Sequence, residues 1–235
     1  MIHPTAFAVD RFIMKSLCRH LGVLVVWCGL AGPGAAAERP GEALAAAWAE
    51  YGFQMFDAAG DLFAEAAASP STRRRGELGQ AMSLYFRERG PDREAAITRY
   101  RALLAEGVDD DVSLLAESLL AEALWATGRT GEADEHWDRV ITAHPDHVVA
   151  QDALLRRTVA HVGDLRSPET TEAIAYAEAR RAEMTPPTRE RPGLFPALDN
   201  LLGQLHFHRD NYEAARAAYM RAIAIGSLET TSPTT

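Results

Sequence analysis

The apolar residues between Leu114 and Asp146 recur at helical spacing in two short blocks, which a glycine separates and a proline closes. In the first block Leu120, Ala121 and Leu124 place a large, a small and a large apolar side chain on one helix face, so a neighbouring helix can approach over the alanine. The second block also presents one apolar face, formed by Ala133, Trp137 and Val140. The pattern therefore predicts a pair of short amphipathic helices.

The turn and the ends of this predicted pair carry the residues that such positions favour. Gly128 suits the end of the first helix, and Thr130 can cap the start of the second. Pro145 prevents the second helix from continuing beyond Thr142. The segment thus reads as one helix-turn-helix unit.

The signature of the second helix is an alanine followed four residues later by an aromatic residue and seven later by another apolar residue. Five copies occur, each with its marker alanine: Ala59, Ala96, Ala133, Ala173 and Ala215. Successive marker alanines are 37, 37, 40 and 42 residues apart, and the fourth copy has Ala177 in place of the aromatic residue. Recurrence at near-constant spacing is typical of repeat proteins, whose units bury their apolar faces only by stacking on neighbours.

These residues resemble a tetratricopeptide repeat (TPR), whose pattern is W-x2-L-G-x2-Y, then A-x3-F, then P. Leu120-Ala121-x2-Leu124 fills the first part, Ala133-x3-Trp137 the second and Pro145 the last, whereas Glu117 occupies the position of the tryptophan. The resemblance implies an all-α, right-handed solenoid of about five TPR-like helix pairs within residues 38–228.

Several internal segments depart from the regular pattern. The helix predicted from Val148 to Val162 has two large residues, Leu154 and Leu155, where a small one is expected, which argues against close packing there. Residues 69–76 (SPSTRRRG) are predicted to form a turn with a basic run, and residues 184–193 a proline-rich loop.

The two ends of the repeat array are also irregular. The first copy, from about Glu42 through Trp48, is alanine-rich and lacks the large-small-large order. At the other end Gly226 is expected to stop the last helix, and residues 229–235 are expected to form a disordered tail.

Residues 1–37 show the order of charged, apolar and small residues that is typical of a secretory signal. Lys15 and Arg19 precede an apolar run of about 10 residues, and Ala35-Ala36-Ala37 follows it. Because a bilayer span needs roughly 20 apolar residues, we expect cleavage near Ala37 rather than anchoring. Met14 begins a signal of conventional length and is a candidate for the true start.

The composition is that of a folded protein, with 47% apolar and 24% charged residues. Its formal net charge of −9 repels phosphate backbones, which argues against a nucleic-acid partner. Both cysteines, Cys18 and Cys28, lie within residues 1–37, so the exported body has no thiol for a disulfide or a metal site. We therefore expect a periplasmic or secreted protein that meets the membrane only through its signal peptide.

The candidate metal ligands in the body are histidines. His206 and His208 are two residues apart, so on a regular helix they point about 200° apart and cannot chelate one ion. His144 and His147 flank a proline and could share a zinc ion, although solvent-facing histidines are the simpler explanation and the one that we favour. The sequence also has no phosphate loop, nucleophile elbow, zincin motif or dinucleotide fingerprint, and we predict no cofactor, no metal and no catalytic residue.

Two runs of charge have competing explanations. Asp109-Asp110-Asp111 lies in a predicted inter-repeat turn, where helix capping and solvation account for it. Arg73-Arg74-Arg75 can attract an acidic partner or phospholipid headgroups, or it can be a solvated turn.

In TPR proteins the first helix of each pair lines a concave groove, and alignment to that arrangement predicts seven residues that face a bound peptide or partner protein. They are Gln80, Arg87, Glu122, Trp125, Asn200, Gln204 and Phe207. Trp125 lies one residue beyond Leu124, so a regular helix turns it about 100° from the packing seam. Its ring is either a peptide anchor or a filler between neighbouring repeats.

The resemblance implies an exported, non-catalytic scaffold that binds a protein or peptide in a cell-envelope assembly, as a monomer or small oligomer. One alternative is a structural repeat protein that self-associates through an incompletely capped terminus. Another is a metal-dependent hydrolase with a site built from the histidines and the loop around Pro186. The fold alone implies no particular partner.

Overall fold

The structure is a computed structural model that describes residues 39–87, 89–185 and 193–230. The predicted signal segment, residues 1–37, lies outside these ranges. Within them every regular element is an α-helix, and none is both long and apolar enough to cross a membrane.

Ten helices follow one another with short connections and form five pairs in the described ranges. They are α1 (Arg39–Gly52), α2 (Phe56–Ala67), α3 (Arg73–Phe86), α4 (Gly90–Ala105), α5 (Asp111–Ala126), α6 (Thr130–Ala143), α7 (Val148–His161), α8 (Pro168–Glu183), α9 (Phe195–His208) and α10 (Tyr212–Thr230). The predicted all-α array of helix pairs is confirmed.

Within the described ranges the chain divides into two compact units, one up to residue 123 and the other from residue 124 onward, with the division inside α5. In the first unit α1 packs on α2, α2 on α3, and α3 on α4, and α1 also contacts α3. In the second unit α6 packs on α7, α7 on α8, and α9 on α10, while α9 also contacts α7. First helices of adjacent pairs thus touch within each unit, as stacked repeats require.

The marker alanines belong to the buried core. Ala59, Ala96 and Ala133 are completely buried, and Ala173 and Ala215 are at most 4% exposed. The aromatic residues that follow them by four positions are buried as well in the first three copies, as Phe63, Tyr100 and Trp137. The periodic pattern in the sequence therefore marks the residues that lie between helices.

Small residues in the first helices allow the close approach that the pattern predicts. Gly203 on α9 faces the Tyr219 ring on α10, where an added Cβ would come within 2.6 Å of Cε1. Gly79 on α3 faces the Phe63 ring on α2 in the same way, with an added Cβ 2.5 Å from Cγ. A side chain at either glycine would push the two helices apart.

Three of the turns inside helix pairs share one backbone geometry. Gln54, Gly128 and Asp210 each lie five residues before a marker alanine and have positive φ angles of 63°, 84° and 60°. At Gly128 the amide donates to the Trp125 carbonyl, and the following amide donates to the Leu124 carbonyl at 2.9 Å. This pair of bonds is the Schellman helix end, and the same pairs of bonds close the turns at Gln54 and Asp210.

The segment predicted as a basic turn, residues 69–76, is only partly a turn. Helix α3 begins at Arg73, so the three arginines form its first turn. Cations at a helix N-terminus oppose the helix dipole. Acidic residues offset this effect, because Glu77 and Glu106 both bind Arg73.

The expectation that α7 packs loosely is wrong. Leu154 and Leu155 are both buried, and so are the small residues Ala150 and Ala153. The small residues therefore occur at positions 150 and 153, before the position at which the family pattern places them.

The last helix does not stop at Gly226. It continues to Thr230, two residues into the segment that was predicted to be a disordered tail. A glycine inside a helix costs only about 1 kcal/mol relative to alanine and ends the helix only where the backbone turns left-handed.

Candidate functional site

The predicted groove residues of the first unit are all engaged with neighbouring helices. The Gln80 amide oxygen accepts a hydrogen bond from Arg99 on α4 at 2.8 Å. Arg87 forms an ion pair with Asp57, with 2.9 Å between Nε and Oδ1. Glu122 accepts a hydrogen bond from the Tyr85 hydroxyl at 3.2 Å. Gln80 and Arg87 thus reach toward second helices, whereas Glu122 links two first helices.

Trp125 lies in the second unit and is half-buried. Its ring centroid is 4.6 Å from that of His161 on α7 and 6.0 Å from that of Trp137 on α6. The ring therefore contacts the next repeat, as a filler does. A role in binding a peptide stays a prediction.

The other three predicted groove residues lie on α9. Asn200 and Phe207 are exposed, and Gln204 is half-buried. The Phe207 ring contacts Tyr212 at a centroid distance of 5.6 Å across the α9–α10 turn. These three residues belong to the second unit.

A pocket of about 290 Å³ opens in the first unit between the α1–α2 turn and the end of α3. We call it the α1–α2 pocket, and its lining residues are Gln54, Met55, Phe56, Asp57, Ala58, Phe86, Arg87 and Arg89. Pockets that enclose drug-sized ligands span about 300–1,000 Å³. This one has room for one or two amino-acid side chains.

The apolar wall of the pocket is a pair of stacked rings. Phe56 and Phe86 have centroids 5.6 Å apart and planes inclined by 24°. The Tyr51 ring contacts both rings edge-on, with centroid distances of 5.4 Å to Phe56 and 5.8 Å to Phe86. Because offset and edge-on aromatic pairs are favourable, this wall keeps its shape without a ligand.

The polar rim of the pocket has two arginines and one aspartate among its described residues, and so a net positive charge. Asp57 holds Arg87 in place through the ion pair, whereas Arg89 is exposed. Two large apolar side chains of the α1–α2 turn lie beside the rim, Phe53 at 78% and Met55 at 56% exposure. The pocket thus combines an aromatic wall, a positively charged rim and an exposed apolar border.

Sequence reasoning identified Arg87 as a binding residue but missed the rest of this pocket. Phe53 and Met55, in particular, received no role. Two large apolar residues in a predicted turn were the available signal, since exposed apolar residues that cluster indicate interaction sites.

The predicted acidic and basic runs meet in the first unit. Arg74 on α3 binds Asp110 through Nη2 at 2.9 Å, and both Arg73 and Arg74 bind Glu106. Asp110 also caps α5, because the Ser113 amide donates to its Oδ1 at 2.8 Å. The capping role expected for the acidic run is therefore confirmed for Asp110, and two of the three arginines form inter-helix ion pairs.

These ion pairs shift the acidities of their carboxyl groups. Hydrogen bonds from Arg73 and then Arg74 lower the pKa of Glu106 to about 2. Burial raises the pKa of Asp110, but hydrogen bonds from Arg74 and the Ser113 amide outweigh it, so this pKa lies below its ordinary value. Both carboxyl groups are thus held in the charged form.

Two further charged clusters connect helices in the second unit. In one, Tyr176 on α8 donates to Asp138 on α6 and lies under the Arg157 guanidinium, 3.7 Å from the ring centroid. Burial, followed by the hydrogen bond to Asp138, raises the pKa of Tyr176 to about 12.

The other cluster surrounds Asp199, whose side chain is completely buried. Arg181 on α8 donates to its Oδ2 at 2.6 Å, and Arg221 on α10 donates to its Oδ1 at 2.9 Å. Arg221 also reaches Glu178, which lies 3.4 Å from His206 Nε2. The cluster ties α8, α9 and α10 together.

The histidines considered as metal ligands have other surroundings. His147 caps α7, since its Nδ1 accepts the Val149 amide hydrogen at 3.2 Å, and it is half-buried rather than solvent-facing. His144 and His208 are exposed, and His206 faces Glu178. Among the described residues no group of three or more histidine, cysteine or acidic side chains is placed to hold a metal ion.

The chain matches no protein-family model and no curated protein. Among solved structures it is similar to a Podosopora anserina protein assigned provisionally as a kinesin light chain, with nearly identical TPR-like repeats. The match has a TM-score of 0.55 and 16% identity, and it covers 83% of this chain and 100% of the other. At this identity the likeness shows the fold alone, and it confirms a TPR-like repeat architecture.

Proposed function

We propose that this protein is an exported, non-catalytic scaffold that binds a partner protein through a short peptide segment in the α1–α2 pocket. The observation that carries the proposal is the stacked Phe56–Phe86 wall beside the Arg87 and Arg89 rim. TPR-like folds commonly serve as protein-binding scaffolds, which supports a binding role over a catalytic one.

The chemistry of the pocket indicates the kind of peptide it accepts. The aromatic wall offers favourable edge and face contacts to one large apolar side chain. The exposed Arg89 then favours a carboxylate next to that side chain, because Arg binds carboxylates in a fixed, bidentate geometry, while Arg87 is paired with Asp57. We therefore expect a peptide in which an aromatic or aliphatic residue precedes acidic residues or the C-terminal carboxylate.

Nuclear magnetic resonance titration tests this proposal with the peptide acetyl-Ala-Phe-Glu-Glu-amide. We expect chemical-shift changes at Met55, Phe56, Phe86 and Arg87. We expect about tenfold weaker binding, equal to about 1.4 kcal/mol, in Arg89→Glu. The matched control is Arg75→Glu, which reverses the charge of another exposed arginine in the same unit. Equal weakening by both variants, or shift changes confined to other helices, would contradict the site.

Export is a separate part of the proposal, supported by the order of charged, apolar and small residues in 1–37. Expression of the full chain in a Gram-negative host should yield a periplasmic protein whose mature terminus follows Ala37. Replacing Leu24 and Val25 with arginine should keep the precursor in the cytoplasm. Cytoplasmic recovery of the unaltered, uncleaved chain would refute export without affecting the pocket.

A further inference from the structure

Four of the large apolar side chains that are exposed in the described part of the chain lie on the α9–α10 pair. Phe207 is 52% exposed, Tyr212 59%, Met220 56% and Ile223 61%. We call this surface, with Glu213, the α9–α10 face. Several exposed large apolar side chains on one helix pair mark a place where another element is expected to pack.

The α1–α2 pair has an equivalent set of residues. Counted from the marker alanines Ala59 and Ala215, the aromatic pair Tyr51–Phe56 and the aromatic pair Phe207–Tyr212 occupy the same positions, eight and three residues earlier. The ring centroids are 5.4 Å apart in the first pair and 5.6 Å in the second. The two hairpins therefore present the same aromatic pair.

One acidic position and one apolar position also correspond between the two helix pairs. Asp57 and Glu213 both lie two residues before their marker alanines. Eight residues after the marker alanines, Ala67 corresponds to Ile223. The correspondence thus includes one charged position and one position at the far end of the second helix.

In the first unit, α3 covers this set of residues. Phe86 stacks on Phe56 and meets Tyr51 edge-on at 5.8 Å, so Tyr51 is only 5% exposed. The next residue, Arg87, pairs with Asp57 at 2.9 Å. At the other end of α3, Gly76 lies so close to Ala67 that an added Cβ would be 2.6 Å from its nitrogen.

On the α9–α10 pair the equivalent aromatic, acidic and apolar side chains are exposed. We propose that the α9–α10 face docks an amphipathic helix of another protein, in the manner in which α3 docks on α1–α2. The final turn of that helix carries an aromatic residue followed by arginine, to match Phe207, Tyr212 and Glu213. Because Ile223 is larger than Ala67, the helix has a small residue near its first turn.

This proposal is independent of the α1–α2 pocket. The pocket takes a short acidic segment on a cationic rim, whereas the α9–α10 face takes a helix with a cation on an acidic rim. Amphipathic helices bind such faces through apolar anchors spaced by three and four residues, and a charge at one end fixes their direction.

A peptide of residues 73–87, RRRGELGQAMSLYFR, is the probe, because it reproduces the α3 sequence. Its binding to the full chain is measured by fluorescence anisotropy at constant ionic strength. We expect Phe86→Ser in the peptide to weaken binding at least about tenfold. We expect Arg87→Gln to weaken it more than Arg75→Gln, a control that leaves the peptide with the same net charge.

The protein variants are made at exposed positions, so that folding is unaffected. Tyr212→Ser and Glu213→Lys should each weaken binding about tenfold, whereas Glu172→Lys, an equally exposed charge reversal on α8, should not. Glu213→Lys should have little effect on the binding of the Arg87→Gln peptide, since that peptide already lacks the arginine that would pair with Glu213. The pocket variant Arg89→Glu should bind the probe normally.

Three results would overturn the proposal. One is equal binding by the Phe86→Ser and unmodified peptides, which would mean that net charge alone drives association. Another is loss of probe binding in Arg89→Glu but not in Tyr212→Ser, which would place the probe in the pocket. The third is a dimer in sedimentation equilibrium that Ile223→Asp abolishes, because the face would then belong to a second copy of this chain.

Discussion

The backbone of Gly79 on α3 lies directly against the Phe63 ring on α2, where an added Cβ would be 2.5 Å from Cγ. We predict that Gly79→Ala lowers the free energy of unfolding by about 1–3 kcal/mol, because the buried ring cannot move away. Thermal and urea unfolding measure the change. Gly41→Ala in α1, which has no neighbouring atom within 4 Å of the added Cβ, should be neutral or stabilising. Equal stability of the two variants would contradict the close helix contact.

The pKa of Glu106 provides a prediction about acid stability. Because its folded pKa of about 2 lies below the ordinary value of 4.5, its ion pairs stabilise the fold above pH 4.5, and this contribution is lost as the pH falls toward 2. Arg73→Gln should raise the Glu106 pKa and reduce this loss, as measured by carboxyl resonance titration and by unfolding at pH 3 and pH 6. Arg75→Gln should leave the Glu106 pKa and the acid stability unchanged. A similar rise of the Glu106 pKa in the two variants would exclude a specific pairing of Arg73 with Glu106.

Tyr176 should make the protein sensitive to alkali. Its pKa of about 12 lies above the ordinary value of 10.0, so its contribution to stability is complete below pH 10 and is lost as the pH rises through 12. Tyr176→Phe keeps the ring under Arg157 but removes the hydroxyl. We expect its stability to decline less steeply between pH 10 and pH 11.5 in urea unfolding. Parallel pH profiles for the two proteins would show that the hydroxyl is not held by Asp138.

Asp199 should be among the most sensitive positions of the second unit. Asp199→Asn leaves Arg181 and Arg221 without their shared charge in a buried site, which should cost about 3–5 kcal/mol. The same substitution at Asp210, whose ion pair with Arg166 is exposed, should cost less than about 1 kcal/mol. Chemical unfolding compares the two, and a mild effect at Asp199 would mean that the cluster is dispensable.

The three turn residues with positive φ differ in their side chains, and a substitution at Gln54 is expected to stabilise the protein. Gln54 has φ of 63°, a conformation that costs a non-glycine residue about 1–2 kcal/mol. Gln54→Gly should therefore stabilise the protein by about 0.5–1 kcal/mol after allowing for the flexibility of glycine in the unfolded chain. Gly128→Ala should destabilise it, and calorimetry measures both. A loss of stability in Gln54→Gly would show that the side chain has another role.

The helix pairs were predictable from sequence because core packing repeats with the chain. A marker alanine needs a small side chain in every copy, so its spacing stays visible even where the aromatic partner is missing, as at Ala173. The start of α3 was not predictable in the same way. Three consecutive arginines suggest a solvated turn, and the distant partners Glu106 and Asp110, which help to make a helix start there favourable, are not visible in the local sequence.

The candidate site was predictable only in part, since it depends on contacts between repeats. Arg87 could be inferred from its place on a first helix, but its pairing with Asp57 and the stacking of Phe86 on Phe56 join residues about 30 positions apart. Alignment to a repeat family predicts the helix face on which a residue lies. The residue that it contacts in the neighbouring repeat depends on the sequence of that repeat. The same limit applies to Trp125, whose contact with His161 has no counterpart in the family pattern.

The shared turn geometry at Gln54, Gly128 and Asp210 also bears on how such a protein can diverge. Main-chain hydrogen bonds close all three turns, so the same turn forms whether the side chain is an amide, a hydrogen atom or a carboxylate, although at different costs in stability. Mutation can therefore change the amino-acid sequence of a repeat while its helical hairpin is kept. Descent among proteins of this kind is better traced through helix ends and buried alanines than through strings of matching residues.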